Sequence, residues 1–113
     1  MATFDGPLHM QAFENMERGT KTVYAVLASD EYSGISSGDR LEFGSFGSIT
    51  VGTVRRYRTL EALCDAEGFQ NIVPEASSAE NAVGIIRAIS EWNEALERER
   101  GVYALRVREA KRK

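Results

Sequence analysis

The chain has 113 residues, 42% hydrophobic and 27% charged, with a formal net charge of −3. That length provides for one domain, residues 1–113, with one core that needs no staple, and that composition is unlike a disordered chain. A lone cysteine (Cys64) and a lone histidine (His9) exclude an internal disulfide and a Cys- or His-rich metal site, so neither metal nor cofactor is expected.

The acidic balance repels a polyanion, so any nucleic-acid binding must come from a local basic patch or a pocket. Met1 to Leu8 carry neither a basic start nor a long apolar run. No stretch approaches the ~20 apolar residues of a membrane span. A soluble protein with a cytoplasmic address and no membrane partner is expected.

Ala12, Phe13 and Met16 predict a short helix over residues 10–18, closed by Gly19. Residues 21–28, rich in Thr, Val, Tyr and Leu, predict a strand. Val23, Ala25 and Leu27 alternate with Thr22, Tyr24 and Val26, and both sets are apolar enough for burial on both faces. Residues 29–38 read as a loop. Gly38-Asp39 opens a strand carrying Leu41 and Phe43, and Gly44 to Ser48 turn into a partner strand, residues 48–57, through Ile49 and Val51. Gly52 suggests a bulge that redirects Arg55, Arg56 and Tyr57.

Thr59 caps a predicted helix through Leu60, Leu63 and Glu67 that Gly68 ends, and 69–76 reads as a loop. Ser77 or Ser78 caps a longer helix over 78–98, with Ser77 and Glu80 at the spacing of a capping box. Val83, Ile86, Ile89, Trp92 and Leu96 form its apolar stripe, with Trp92 as an anchor. After Gly101, Tyr103, Leu105 and Val107 alternate in a last strand over 102–108, and residues 111–113 read as frayed.

Few residues stand out chemically. Lys21, at the mouth of an apolar strand, reads either as a desolvated base or oxyanion partner, or as a solvated lysine favoured by a helix C-terminus. Strict alternation puts Lys21 and Tyr24 on opposite faces, so they share a site only if the strand starts irregularly. Tyr24 suits stacking on a base or core packing equally well. Glu75 reads either as an exposed loop carboxylate near a helix N-terminus or as an acid–base group across a cleft. Arg55, Arg56 and Arg58 around Tyr57 form the one compact basic and aromatic cluster, suited to phosphate contact and base stacking or to a solvated strand edge. His9 reads as structural or solvated, and Cys64 as a small core residue.

The order of these pieces resembles the ASCH family, a branch of the PUA-like barrels. The resemblance is carried by Phe13, Gly19, Lys21-Thr22, Ile35, Gly38-Asp39, Phe43, Tyr57, the Leu60 helix, Pro74, Ser77 to Ala82 and Gly101 to Leu105. It implies an α+β fold, a PUA-like partly closed β-barrel with surrounding helices and a cleft beside the Lys21-Thr22 strand. It also implies RNA or nucleotide binding, with members that hydrolyse acylated cytidine nucleosides or cut RNA. Many members continue the Lys-Thr strand with a glutamate and an arginine, where this chain has Tyr24 and Val26. The amidohydrolase branch carries threonine in place of Tyr24 and a carboxylate most nearly matched by Glu75.

The leading expectation is a cleft for a nucleotide or a short single-stranded RNA. In it Lys21, Thr22 and the Arg55, Arg56 and Arg58 cluster meet oxygens, and Tyr24 or Tyr57 stacks. The rival is an amidohydrolase of acylated cytidine nucleosides, or a ribonuclease, centred on Lys21 and Glu75. A third reading is a protein-interaction domain using the Trp92 region.

Overall fold

A computed structural model describes all residues, Met1–Lys113. Helix α1 (Met10–Arg18) stops at Gly19, whose φ of 83° lies in the left-handed region that glycine adopts without strain. Strand β2 (Val23–Leu27) follows an irregular lead-in, because the Lys21 N–H donates to Asn15 O and the Thr22 N–H to Asn71 O. The segment over 29–38 contains a single 3₁₀ turn, Asp30–Tyr32. Strands β3 (Arg40–Phe43) and β4 (Gly47–Tyr57) form the expected hairpin, with Leu41 opposite Ile49. The register slips between Val51 and Val54, which places the expected bulge at Gly52.

Helix α2 (Leu60–Glu67) is capped by Thr59, whose hydroxyl accepts the Ala62 N–H at 3.1 Å. The expected loop after Gly68 begins with a helical turn, α3 (Phe69–Ile72). The single helix expected over 78–98 is two: α4 (Ala79–Arg87) and α5 (Glu94–Arg100). The first ends at its C-cap Ala88, a turn follows through Trp92, and Asn93 then caps α5, its amide oxygen accepting the Leu96 N–H at 3.0 Å. A polar cap inside an apolar stripe overrides the periodicity. The capping box is shifted by one residue: Ser78 Oγ accepts the Asn81 N–H and Asn81 Oδ1 accepts the Ser77 N–H, each at 3.0 Å, in place of Ser77 with Glu80.

Strand β5 runs over Val102–Arg112, longer than the sequence suggests. Its end is held, because Arg112 forms a fork to Glu17 at 2.7 and 3.1 Å and the Lys113 N–H donates to Phe46 O. A short N-terminal strand, β1 (Thr3–Asp5), was not legible and pairs in parallel with β3. Asp39 ties that junction together by accepting the Ala2 and Ser36 N–H groups, both at 2.9 Å.

All five strands form one sheet in the order β1-β3-β4-β5-β2, curled into a half-barrel, so the fold is mixed α+β. One face packs on α1 through Phe13, Met16, Tyr24, Leu41, Phe43 and Leu105. The other packs on α2, α3 and α4 through Val23, Leu60, Leu63, Ile72, Val83 and Val102. Both faces of β2 are therefore buried, and each large apolar side chain removed from water contributes roughly 1.5–3 kcal/mol. The strands β1 and β2 are the two edges and do not pair with each other. No helix is long and apolar enough to cross a membrane.

Candidate functional site

The unclosed seam of the half-barrel is a cleft of about 540 Å³, within the span usual for small-molecule sites. One wall is the segment after β1 (Gly6, Pro7, Leu8) with a stripe of α1, since Gln11, Ala12 and Asn15 recur at helical spacing. The opposite wall is Ile85, Ile89 and Trp92 from the end of α4 and the turn beyond it. Between them lie β2, the Tyr32 turn and Val73 to Glu75.

Lys21 sits at the inner end, only 7% exposed, with its ammonium donating to Ile72 O. Burial pulls its pKa down to about 8, and the Glu75 carboxylate opposes that pull. The ammonium lies 5.2 Å from the centre of the Tyr24 ring. The irregular lead-in makes this possible: Lys21 precedes the strand, so alternation does not carry it to the far face. The Tyr24 ring is packed edge-on against Phe43 at 5.3 Å. Its hydroxyl has no partner in the protein and is not sealed from solvent, so it opens on the cleft. Burial, with Tyr32 and Glu91 adding to it, raises the Tyr24 pKa and keeps the phenol neutral. Glu75 is exposed at the rim.

Lys21, Tyr24 and Glu75 are thus brought together. Thr22 is not part of the cleft: its side chain is exposed and its main chain is committed to Asn71 and Val107. The basic cluster is also elsewhere. Arg55, Arg56 and Arg58 are exposed, and Arg56 donates to Arg100 O from its Nε at 3.1 Å and again from Nη2. Tyr57 donates its hydroxyl to the buried Glu67, so it is engaged as a tether rather than free to stack. The arginine cluster and the cleft are separate surfaces.

Several cleft residues escaped the sequence. His9, read as structural or solvated, lines the cleft, as do Asp5, Glu31, Tyr32 and Glu91, whose positions depend on the β1 junction and on loops. Trp92 does not anchor a long helix: it packs on the core from the turn between α4 and α5 and forms a cleft wall. Its indole N–H donates to Glu97 at 3.0 Å. Glu97, 3% exposed, also accepts Arg87 at 2.6 and 3.1 Å and the Leu60 N–H at 3.2 Å. Burial pushes its carboxyl up, but Arg87, Trp92 and the Leu60 N–H outweigh burial and hold it below the usual range. No periodicity signals such a hub.

Solved structures share this overall fold, among them the following two. The hypothetical protein PH0355, known from a crystal structure, is 25% identical with a TM-score of 0.85 over 98% of this chain and all of its own. Protein PF0455 from Pyrococcus furiosus, solved by NMR, is 23% identical with a TM-score of 0.76 over 96% of each chain. No family model and no curated protein matches the chain.

Proposed function

We propose that the protein is an ASCH-like, PUA-like domain that binds a nucleoside or nucleotide in the seam cleft. The observation that carries this reading is a buried ammonium, Lys21, beside an unpartnered phenol, Tyr24, at the inner end of a largely apolar cleft. An ammonium and a neutral hydroxyl are both hydrogen-bond donors, suited to a ligand carbonyl, and the surrounding Ile and Trp side chains suit a flat ring. A cytoplasmic location goes with it, since a single buried cysteine needs no oxidising compartment.

The test is equilibrium binding of a nucleoside and nucleotide panel to the wild type and to Lys21→Ala. Loss of a charge-assisted hydrogen bond worth ~1.5–3 kcal/mol predicts binding weaker by roughly 10- to 150-fold. Equal affinities would remove Lys21 from the site. An RNA surface at Arg55, Arg56 and Arg58 is a distinct possibility with its own test, given below.

Hydrolysis of acylated cytidine is the second reading, favoured by the lowered Lys21 pKa next to Glu75. Amide hydrolysis needs a nucleophile or an activated water, a proton shuttle and an oxyanion donor. Lys21 suits the donor and Glu75 the shuttle, but the Tyr24 phenol is far bulkier than a threonine hydroxyl and its delocalised phenoxide is a weaker nucleophile than an alkoxide. Binding without turnover is expected. Multiple turnover that disappears in Lys21→Ala would establish the enzyme instead.

A further inference from the structure

We infer that the main chain of β2 is itself part of the binding site, with Ala25 and Leu27 reading the hydrogen-bonding edge of a flat heterocycle. This rests on the nucleoside reading above and adds the groups that would recognise the base.

The register of β2 on β5 fixes which way each peptide group points. The Val107 N–H donates to Thr22 O at 2.9 Å and the Ala28 N–H to Gly101 O at 3.0 Å. With Val23 opposite Arg106 and Leu27 opposite Val102, the even residues Thr22, Tyr24, Val26 and Ala28 bond to β5. The odd residues Val23, Ala25 and Leu27 direct their N–H and C=O groups away from it, to an edge with no neighbouring strand. Neither Ala25 nor Leu27 has a hydrogen-bond partner in the protein, and both line the cleft. Val23, by contrast, is 1% exposed and does not reach it. An unpaired strand edge is usually blunted by charge, proline or cover. Here it opens instead on a cavity onto which the unpartnered hydroxyl of Tyr24, a residue only 7% exposed as a whole, also opens.

Length decides between a heterocycle and an added peptide strand. The free edge on the cleft is two alternate residues, roughly 7 Å along a strand. That is the width of a ring system and too short for a ladder. On such an edge one residue presents a donor and an acceptor side by side. A lactam or amidine edge of a nucleobase offers the complementary acceptor and donor, while Lys21 and Tyr24 supply two further donors. Charge narrows the class again. Asp5, Glu31, Glu75 and Glu91 line the cleft against Lys21 and His9, so an attached phosphate would face carboxylates. The occupant is an uncharged nucleoside.

The experiment measures binding of uridine, cytidine, adenosine and guanosine, their 5′-monophosphates, and 3-methyluridine, with amide hydrogen exchange followed residue by residue. The expected result is one nucleoside bound more tightly than its monophosphate, with exchange at the Ala25 or Leu27 N–H slowed at least about tenfold at saturation. For uridine, methylation at N3 should abolish binding. Ala25→Pro removes one edge donor where no ladder bond is made, and should weaken binding about 3- to 10-fold, the worth of one hydrogen bond. If that variant does not fold, the exchange data on the wild type decide alone. Binding that depends on Lys21 but leaves both edge amides unprotected would overturn this inference while the cleft reading stands. Tighter binding of the monophosphates would overturn the charge argument. If no nucleoside binds, the cleft reading and this inference fall together.

Discussion

Replacing Lys21 by methionine keeps the length of the side chain and removes its charge. The pKa is depressed by burial from the ordinary 10.5 to about 8. Because the folded value is the lower one, the unfolded chain binds the extra proton between these limits, so stability rises with pH across that window. At pH 7 the buried charge costs about 3 kcal/mol, at about 1.36 kcal/mol per pKa unit. Methionine recovers that cost but leaves Ile72 O without its donor, which costs about 1–3 kcal/mol. The variant should thus be slightly more stable than the wild type at pH 7, by about 1 kcal/mol, while losing the ligand. Between pH 7 and 9.5 the wild type should gain about 2 kcal/mol on the variant and erase that advantage. Urea denaturation of both proteins at several pH values reads the difference directly. Tyrosine titration enters both proteins alike and cancels. Parallel stability curves across this pH range would refute the claim that Lys21 is held desolvated, and with it the electrostatics of the cleft.

Glu97→Ala should destabilise the protein by about 3 kcal/mol in thermal unfolding, because it removes the buried partner of Arg87 and frees Trp92; Arg87 also donates to the exposed Glu61 from both terminal nitrogens at 2.9 Å, and a loss under about 1 kcal/mol would mean Glu61 carries it alone. Gly47→Ala places a methyl 2.3 Å from Lys111 O and 2.4 Å from the Phe13 ring, so it should cost at least about 2 kcal/mol by denaturant titration; wild-type stability would show that the sheet and α1 move apart easily. Substituting Arg55, Arg56 and Arg58 together by alanine should leave nucleoside affinity within twofold, since none lines the cleft. If the cluster binds RNA, the same triple variant should weaken RNA binding for every sequence and flatten its salt dependence; unchanged RNA affinity would reject the patch.

Local signals made most of the fold legible. Gly19 and Gly68 mark helix ends, Thr59 marks a beginning, and the alternation of Leu41 with Phe43 and of Ile49 with Val51 marks the hairpin. Those features depend on a few neighbouring residues. The break between Arg87 and Glu94 gave no signal because the apolar stripe continues through it to Leu96, and the Asn93 side-chain cap does not alter a periodicity. β1 was missed because its three residues become a strand only through pairing with β3, thirty-odd residues away. At the site, Lys21 and Tyr24 were legible as chemistry on or beside one predicted strand, and Glu75 only through the family resemblance. The arginine cluster was equally legible as chemistry, yet neighbours in sequence on β4 lie on a different part of the curled sheet. Cleft carboxylates such as Asp5 and Glu91 gave no signal, since only the curl of the sheet brings them to β2.

The sheet order also bears on how the protein is made. β5, residues 102–112, lies between β4 and β2. During synthesis, β2 therefore leaves the ribosome long before the only strand it pairs with exists. Until then its two apolar faces and both of its edges have no sheet to join. Helices α1 and α2 and the β3–β4 hairpin can form on the nascent chain, but the half-barrel and its seam must wait for the last strand. A pairing this distant in sequence slows folding. Ribosome stalling or truncation before residue 102 would leave an aggregation-prone strand with its apolar faces uncovered, the state that chaperones exist to hold.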